Sequence, residues 1–169
     1  VLGAYNPVDP ADPRLTYLRH VAISIMQASR RSTTFVDPVV ILLDAPEVIN
    51  AFAAPGGFIF VTTGMLKFLK NEDELAFVLA HEIAHIELDH GLNAIKQNEG
   101  AKVFAEATAD ENGEDPFAAF RTFAENGFSQ SVEGEADIRG AQIAAGLGYD
   151  ITQGIEVIRR LETVTGRKH

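Results

Sequence analysis

The stretch at positions 71–90, NEDELAFVLAHEIAHIELDH, constrains the fold more than any other part of the chain. Leu75, Val78, Leu79, Ile83 and Ile86 recur at the spacing of one helix face, so the segment reads as a helix with a buried apolar stripe. Asn71 is placed to cap it, and Glu74 stands three residues on, as in a capping box. Into this pattern the sequence sets His81, Glu82, His85 and His90. His81 and His85 are one helical turn apart on one face, where two imidazoles can share one metal ion. Glu82 projects to the side, able to reach a water at the metal without ligating it. This is the H-E-x-x-H arrangement. Core histidines bonded to backbone carbonyls would show the same spacing. Against that, two histidines and a carboxylate in an apolar setting are costly unless paired or bound.

Zinc takes neutral imidazole nitrogen and carboxylate oxygen, and a catalytic site pairs three protein ligands with one open position. Two histidines therefore need a third partner. The segment SVEGEADIRGAQIAAGLGYD, 131–150, reads as a second helix bearing Glu133, Glu135 and Asp137. Glu133 and Asp137 share a face, which could also be merely solvated; with H-E-x-x-H upstream, Glu133 is expected to ligate the metal. Asp137, one turn on, is expected to accept the free ring N–H of a ligand histidine. Glu135 points elsewhere, in register for a surface pair with Arg139. His90 sits about 140° round the helix from His85. It is expected to stay out of the coordination sphere and to hydrogen-bond at the helix end. The group that would face a developing oxyanion is left open among Arg139, Tyr149 and Arg121.

Around these helices the chain reads as α+β, mostly helical, with a small three-stranded sheet ahead of the histidine helix. Positions 1–13 form a Pro-rich extended lead-in, and 14–30 an amphipathic helix. VVILLD, 39–44, is a buried strand. VINAFAA and FIFVTTG, joined by Pro55-Gly56-Gly57, form a hairpin. An acidic loop tip is expected at 110–116. At 169 residues the chain is expected to be a single domain. The hairpin offers an edge for an extended peptide, with Gly57, Phe58, Ile59 and Phe60 as the expected substrate-binding residues.

Composition narrows the partners. There are 24 acidic residues against 14 basic, a net charge of −10, which argues against nucleic acid and anionic membrane. The chain has no cysteine, so a Cys-based zinc finger is excluded. No apolar run is long enough to span a bilayer, so no membrane insertion by this chain is expected. It starts at Val1, not Met, so any signal peptide, lipid anchor or membrane segment would lie upstream.

The HEIAH at 81–85, followed by EGEAD at 133–137, resembles the gluzincin zinc metallopeptidases. More narrowly, it is similar to the group of HtpX-like proteases, CAAX prenyl endopeptidases and their soluble periplasmic relatives (peptidase family M48). NAFAAPGGFIFVTTGML, 50–66, and GYD, 148–150, extend the likeness to roughly residues 40–160. The resemblance implies one Zn2+ per chain on His81, His85 and Glu133, with Glu82 as general base and Asp137 behind a ligand. It implies an endopeptidase and a periplasmic or otherwise exported bacterial setting; the hairpin edge, in turn, points to unfolded or extended polypeptides as substrate. Two other readings stay open: a metal-bound, proteolytically silent, chaperone-like peptide binder, and a metal-free interaction module.

Overall fold

The computed structural model describes residues 5–29, 38–96 and 127–166. The expected loop tip at 110–116, Arg121, the first four residues of the lead-in and the C-terminal His169 lie outside these. The described elements run α1 (Pro13–Ala28), β1 (Val39–Leu43), β2 (Ala51–Ala54), β3 (Phe58–Thr62), α2 (Thr63–Phe68), α3 (Glu72–Glu87), α4 (His90–Lys96), α5 (Gln130–Gly146) and α6 (Ile151–Thr165). The α+β class, mostly helical with a small early sheet, is as the sequence led us to expect.

Helix α1 starts where Asp12 accepts from the Arg14 N–H and Pro13 occupies the first turn. It buries Leu15, Leu18, Val21, Ala22, Ile25 and Met26. The strand order is β1-β3-β2. β3 is the central strand, parallel to β1 and antiparallel to β2. Alternation along the strands sends Val40, Leu42, Ile59 and Val61 into the main core with α1 and α3. Leu43 and Phe60 join a smaller cluster with Phe52 and Phe58; there Phe52 and Phe60 stack with ring centroids 4.6 Å apart. The lead-in runs along the outer side of β1, where the Val8 N–H donates to Leu42 O at 2.9 Å and the Asp44 N–H to Asn6 O at 2.9 Å. That edge is thereby covered. The outer edge of β2 has no strand on it among the described residues.

The sheet hands over to helix at Thr62. Its hydroxyl accepts from the Met65 N–H at 3.1 Å and caps α2. Gly64 follows because a Cβ there would sit 2.2 Å from Val48 O. Asn71 then caps α3, accepting from the Glu74 N–H at 2.9 Å. The second half of the expected capping box is not made. The Glu74 carboxylate accepts instead from the Lys70 N–H at 2.8 Å and from both terminal nitrogens of Arg160, at 2.6 and 2.8 Å. Arg160 belongs to α6, so this buried pair pins the last helix to the start of α3. Its guanidinium holds the Glu74 carboxyl below the usual carboxylate range. Helix α3 thus has α1, α5, α6 and the sheet around it. Leu75, Leu79, Ile83 and Ile86 face the main core, while Val78, expected on the same stripe, packs instead with Phe77 and with Val157 of α6.

Candidate metal centre

His81, Glu82 and His85 are all buried on α3. The ring nitrogens His81 Nε2 and His85 Nε2 lie 3.0 Å apart. Helix α5 brings Glu133 to them, with Oε2 at 3.2 Å from His81 Nε2 and 3.6 Å from His85 Nε2. Its Oε1 accepts from the Phe128 N–H at 3.0 Å, which orients the carboxylate. His81, His85 and Glu133 are the one group among the described residues whose potential ligand atoms all fall within 4.8 Å of one another. A tetrahedral ion with zinc-like bond lengths sets its donors about 3.3–3.5 Å apart. The three separations here bracket that value, so a small divalent cation fits the donor set.

Electrostatics favour positive charge at this spot. Burial alone would lower the pKa of His81. Asp137, Glu133 and Glu82 outweigh it and raise that pKa to about 10. Asp137 Oδ1 lies 2.9 Å from His81 Nδ1, behind the ring as seen from Glu133. Glu82, one position on from His81, is not in the converging group.

Two helices meet this closely because Gly140 faces the backbone of α3. A Cβ on Gly140 would stand 2.9 Å from both Cα and N of His81. Gly140→Ala is therefore expected to destabilise the fold by about 1–3 kcal/mol through overpacking. The sign is diagnostic, since helix propensity alone would favour alanine by about 1 kcal/mol. Thermal melting checks this, and a raised Tm would contradict the close approach.

The structure departs from the sequence reading at several residues. Arg139 does not pair with Glu135. Its Nε and Nη2 donate to Glu87 Oε1 and Oε2 at 2.9 and 3.0 Å, clamping α5 to the end of α3. Helix packing supplies a bidentate partner that outcompetes an exposed i,i+4 neighbour. Engaged there, Arg139 is not available for an oxyanion. Tyr149 donates to Glu72 Oε1 at 3.2 Å, at the far end of α3, and is not at the site either. His90 does not continue the helix of His85. Helix α3 ends at Glu87, Asp89 takes a φ of 57°, and His90 opens α4. With this break its ring meets that of His85, Nδ1 2.9 Å from His85 Nδ1, so the expected hydrogen bond at the helix end is made. Phe128, which the sequence reading passed over, stacks on His85 with centroids 4.6 Å apart.

The residues expected to bind peptide do not lie on an open strand edge. Phe58, Ile59 and Phe60 lie on the central strand, with backbone paired on both sides. Gly57 sits in the turn with a φ of 84°. Nothing in the sequence said on which side of the hairpin β1 would pair. The open edge is β2, and its end adjoins the histidines: Ala53, Ala54, Pro55, His85, Ile86 and Phe128 line one pocket.

Comparison with known proteins supports one assignment. The family described as Peptidase family M48 matches residues 14–166. The chain belongs to peptidase family M48. Among relatives, it is 33% identical over 121 residues to the mitochondrial metalloendopeptidase OMA1 of Schizosaccharomyces pombe, covering 70% of this chain and 36% of that protein. It is 30% identical over 128 residues to the mitochondrial metalloendopeptidase OMA1 of Arabidopsis thaliana, covering 75% of this chain and 26% of that protein. It is 30% identical over 115 residues to the β-barrel assembly-enhancing protease of Yersinia pestis, covering 60% and 24%. The chain thus spans about a third or less of the length of these relatives. The two OMA1 relatives are named as metalloendopeptidases and the Yersinia relative as a protease.

Proposed function

We propose that this M48 chain hydrolyses peptide bonds in extended polypeptides, with one Zn2+ held by His81, His85 and Glu133. The convergence of those three side chains within 4.8 Å carries the reading. When bound, zinc polarises a carbonyl oxygen and brings the pKa of a water towards roughly 7. The chain's own residues do the rest. Glu82 takes the proton from the attacking water and delivers it to the leaving amine. Asp137 accepts the Nδ1–H of His81, so that Nε2 presents its lone pair towards Glu133. The test is metal analysis of the purified chain together with casein turnover. One equivalent of zinc and turnover abolished by chelator are expected. Zinc without turnover would instead mark the silent, chaperone-like peptide binder, and no metal would sink the reading.

The substrate is proposed to lie along β2. The Thr62 N–H donates to Asn50 O at 3.0 Å. Antiparallel alternation from that pair turns the backbone groups of Phe52 and Ala54 towards β3, and those of Ala51 and Ala53 outward. An extended peptide can pair with these outward groups, whereas a folded segment cannot. Ala53→Pro removes one outward N–H and leaves the ladder to β3 intact. It is expected to raise KM by about 2- to 12-fold, the worth of one hydrogen bond, with zinc content unchanged. An unchanged KM would remove β2 from the substrate site. An exported, periplasm-like setting belongs to the same proposal and rests on the family resemblance. Among the described residues, no helix is long and apolar enough to cross a membrane.

A further inference from the structure

The two histidines of the proposed zinc site are supported differently. His81 rests on a carboxylate, Asp137. His85 rests on another imidazole. Its Nε2 lies towards His81 and Glu133, and its Nδ1 is 2.9 Å from His90 Nδ1. Two ring nitrogens at that distance need one proton between them, since two N–H groups or two lone pairs would repel. A histidine that ligates through Nε2 carries its proton on Nδ1. His85 is then the donor and His90 Nδ1 the acceptor. That places the proton of His90 on Nε2, the nitrogen that lies 3.6 Å from Glu135 Oε2. Both rings are buried, so bulk water does not substitute for the contact. The Glu135 side chain is 61% exposed, so its influence on His90 is screened and small.

We propose that His90 is a positioning residue, whose Nδ1 accepts the Nδ1–H of His85 and holds that ring in the tautomer and orientation that ligate zinc. This rests on the zinc reading above. The role follows from the break between α3 and α4. Only because the helix stops at Glu87 does a histidine five positions on reach back to the ring.

The test uses the full chain. In protein with 15N-labelled histidine, a scalar coupling is expected across the hydrogen bond between His85 Nδ1 and His90 Nδ1, both metal-free and zinc-loaded. Zinc is diamagnetic and leaves the signals observable. Zinc affinity, measured by competition with a chelating dye, is expected to fall about 10- to 100-fold in His90→Phe, which keeps the ring volume but has no acceptor. His90→Asn restores an acceptor oxygen and is expected to stay within about threefold of wild type, on the same scale. Absence of the coupling, unchanged affinity in His90→Phe, or an equal loss in His90→Asn would each overturn the proposal. Should His90→Phe fail to fold, the coupling and the asparagine variant still decide. A wild-type chain that takes up no zinc at all would overturn the zinc reading itself, and this role with it.

Discussion

Glu82→Gln is expected to leave the fold and bound zinc intact while lowering peptide hydrolysis by about 10²- to 10⁴-fold, the usual worth of a positioned general base. The amide is close to isosteric and stays uncharged, so it cannot take a proton from the attacking water. Glu82 lies on α3 beside His81 but outside the converging donor group, so its removal should not release the metal. Three readouts separate the alternatives: zinc content, circular dichroism and casein turnover. Activity within tenfold of wild type would remove Glu82 from the base role. Loss of zinc would make it a ligand.

Glu133→Ala is expected to lose zinc altogether, a larger effect than the 10- to 100-fold typical of a group supporting a ligand from behind. Glu135→Ala is expected to keep it. Both carboxylates lie on α5 within two residues of each other, yet Glu133 Oε2 stands 3.2 Å from His81 Nε2 while Glu135 stands off His90 on the outside. Asp137→Asn should fall between the two, within that 10- to 100-fold range, because His81 keeps its position but loses a charged acceptor. Dye competition measures all three variants side by side. Zinc loss in Glu135→Ala with retention in Glu133→Ala would mean that the donor set is wrong.

What could be seen in the sequence was local and periodic. The face shared by His81 and His85, that shared by Glu133 and Asp137, the Asn71 cap and the α+β order all follow from helical or strand spacing within one element. What could not be seen depended on where elements stop and what they meet. His90 lies three residues past the end of α3, so helical spacing from His85 does not locate it. Local i,i+4 spacing pairs Arg139 with Glu135, because Glu87 is distant in sequence and adjacent only once α5 packs on α3. The hairpin's open side is β2, and a strand's partner on its second side is a tertiary fact that local pattern does not carry. Glu74 likewise gave up a local cap for a guanidinium that α6 delivers.

The close seat of Gly140 on His81, flanked by the Arg139–Glu87 clamp, has a consequence for how such domains diversify. The two donor-bearing helices are held in register where they touch. Closing a longer connection costs little, about 0.6 kcal/mol for each doubling of its length. Insertions between HEIAH and EGEAD can therefore accumulate without disturbing the donors, and the interval between the two motifs is free to drift. A one-residue slip inside α5 has the opposite effect: it would swing Glu133 about 100° round its helix and take the third donor off the histidines.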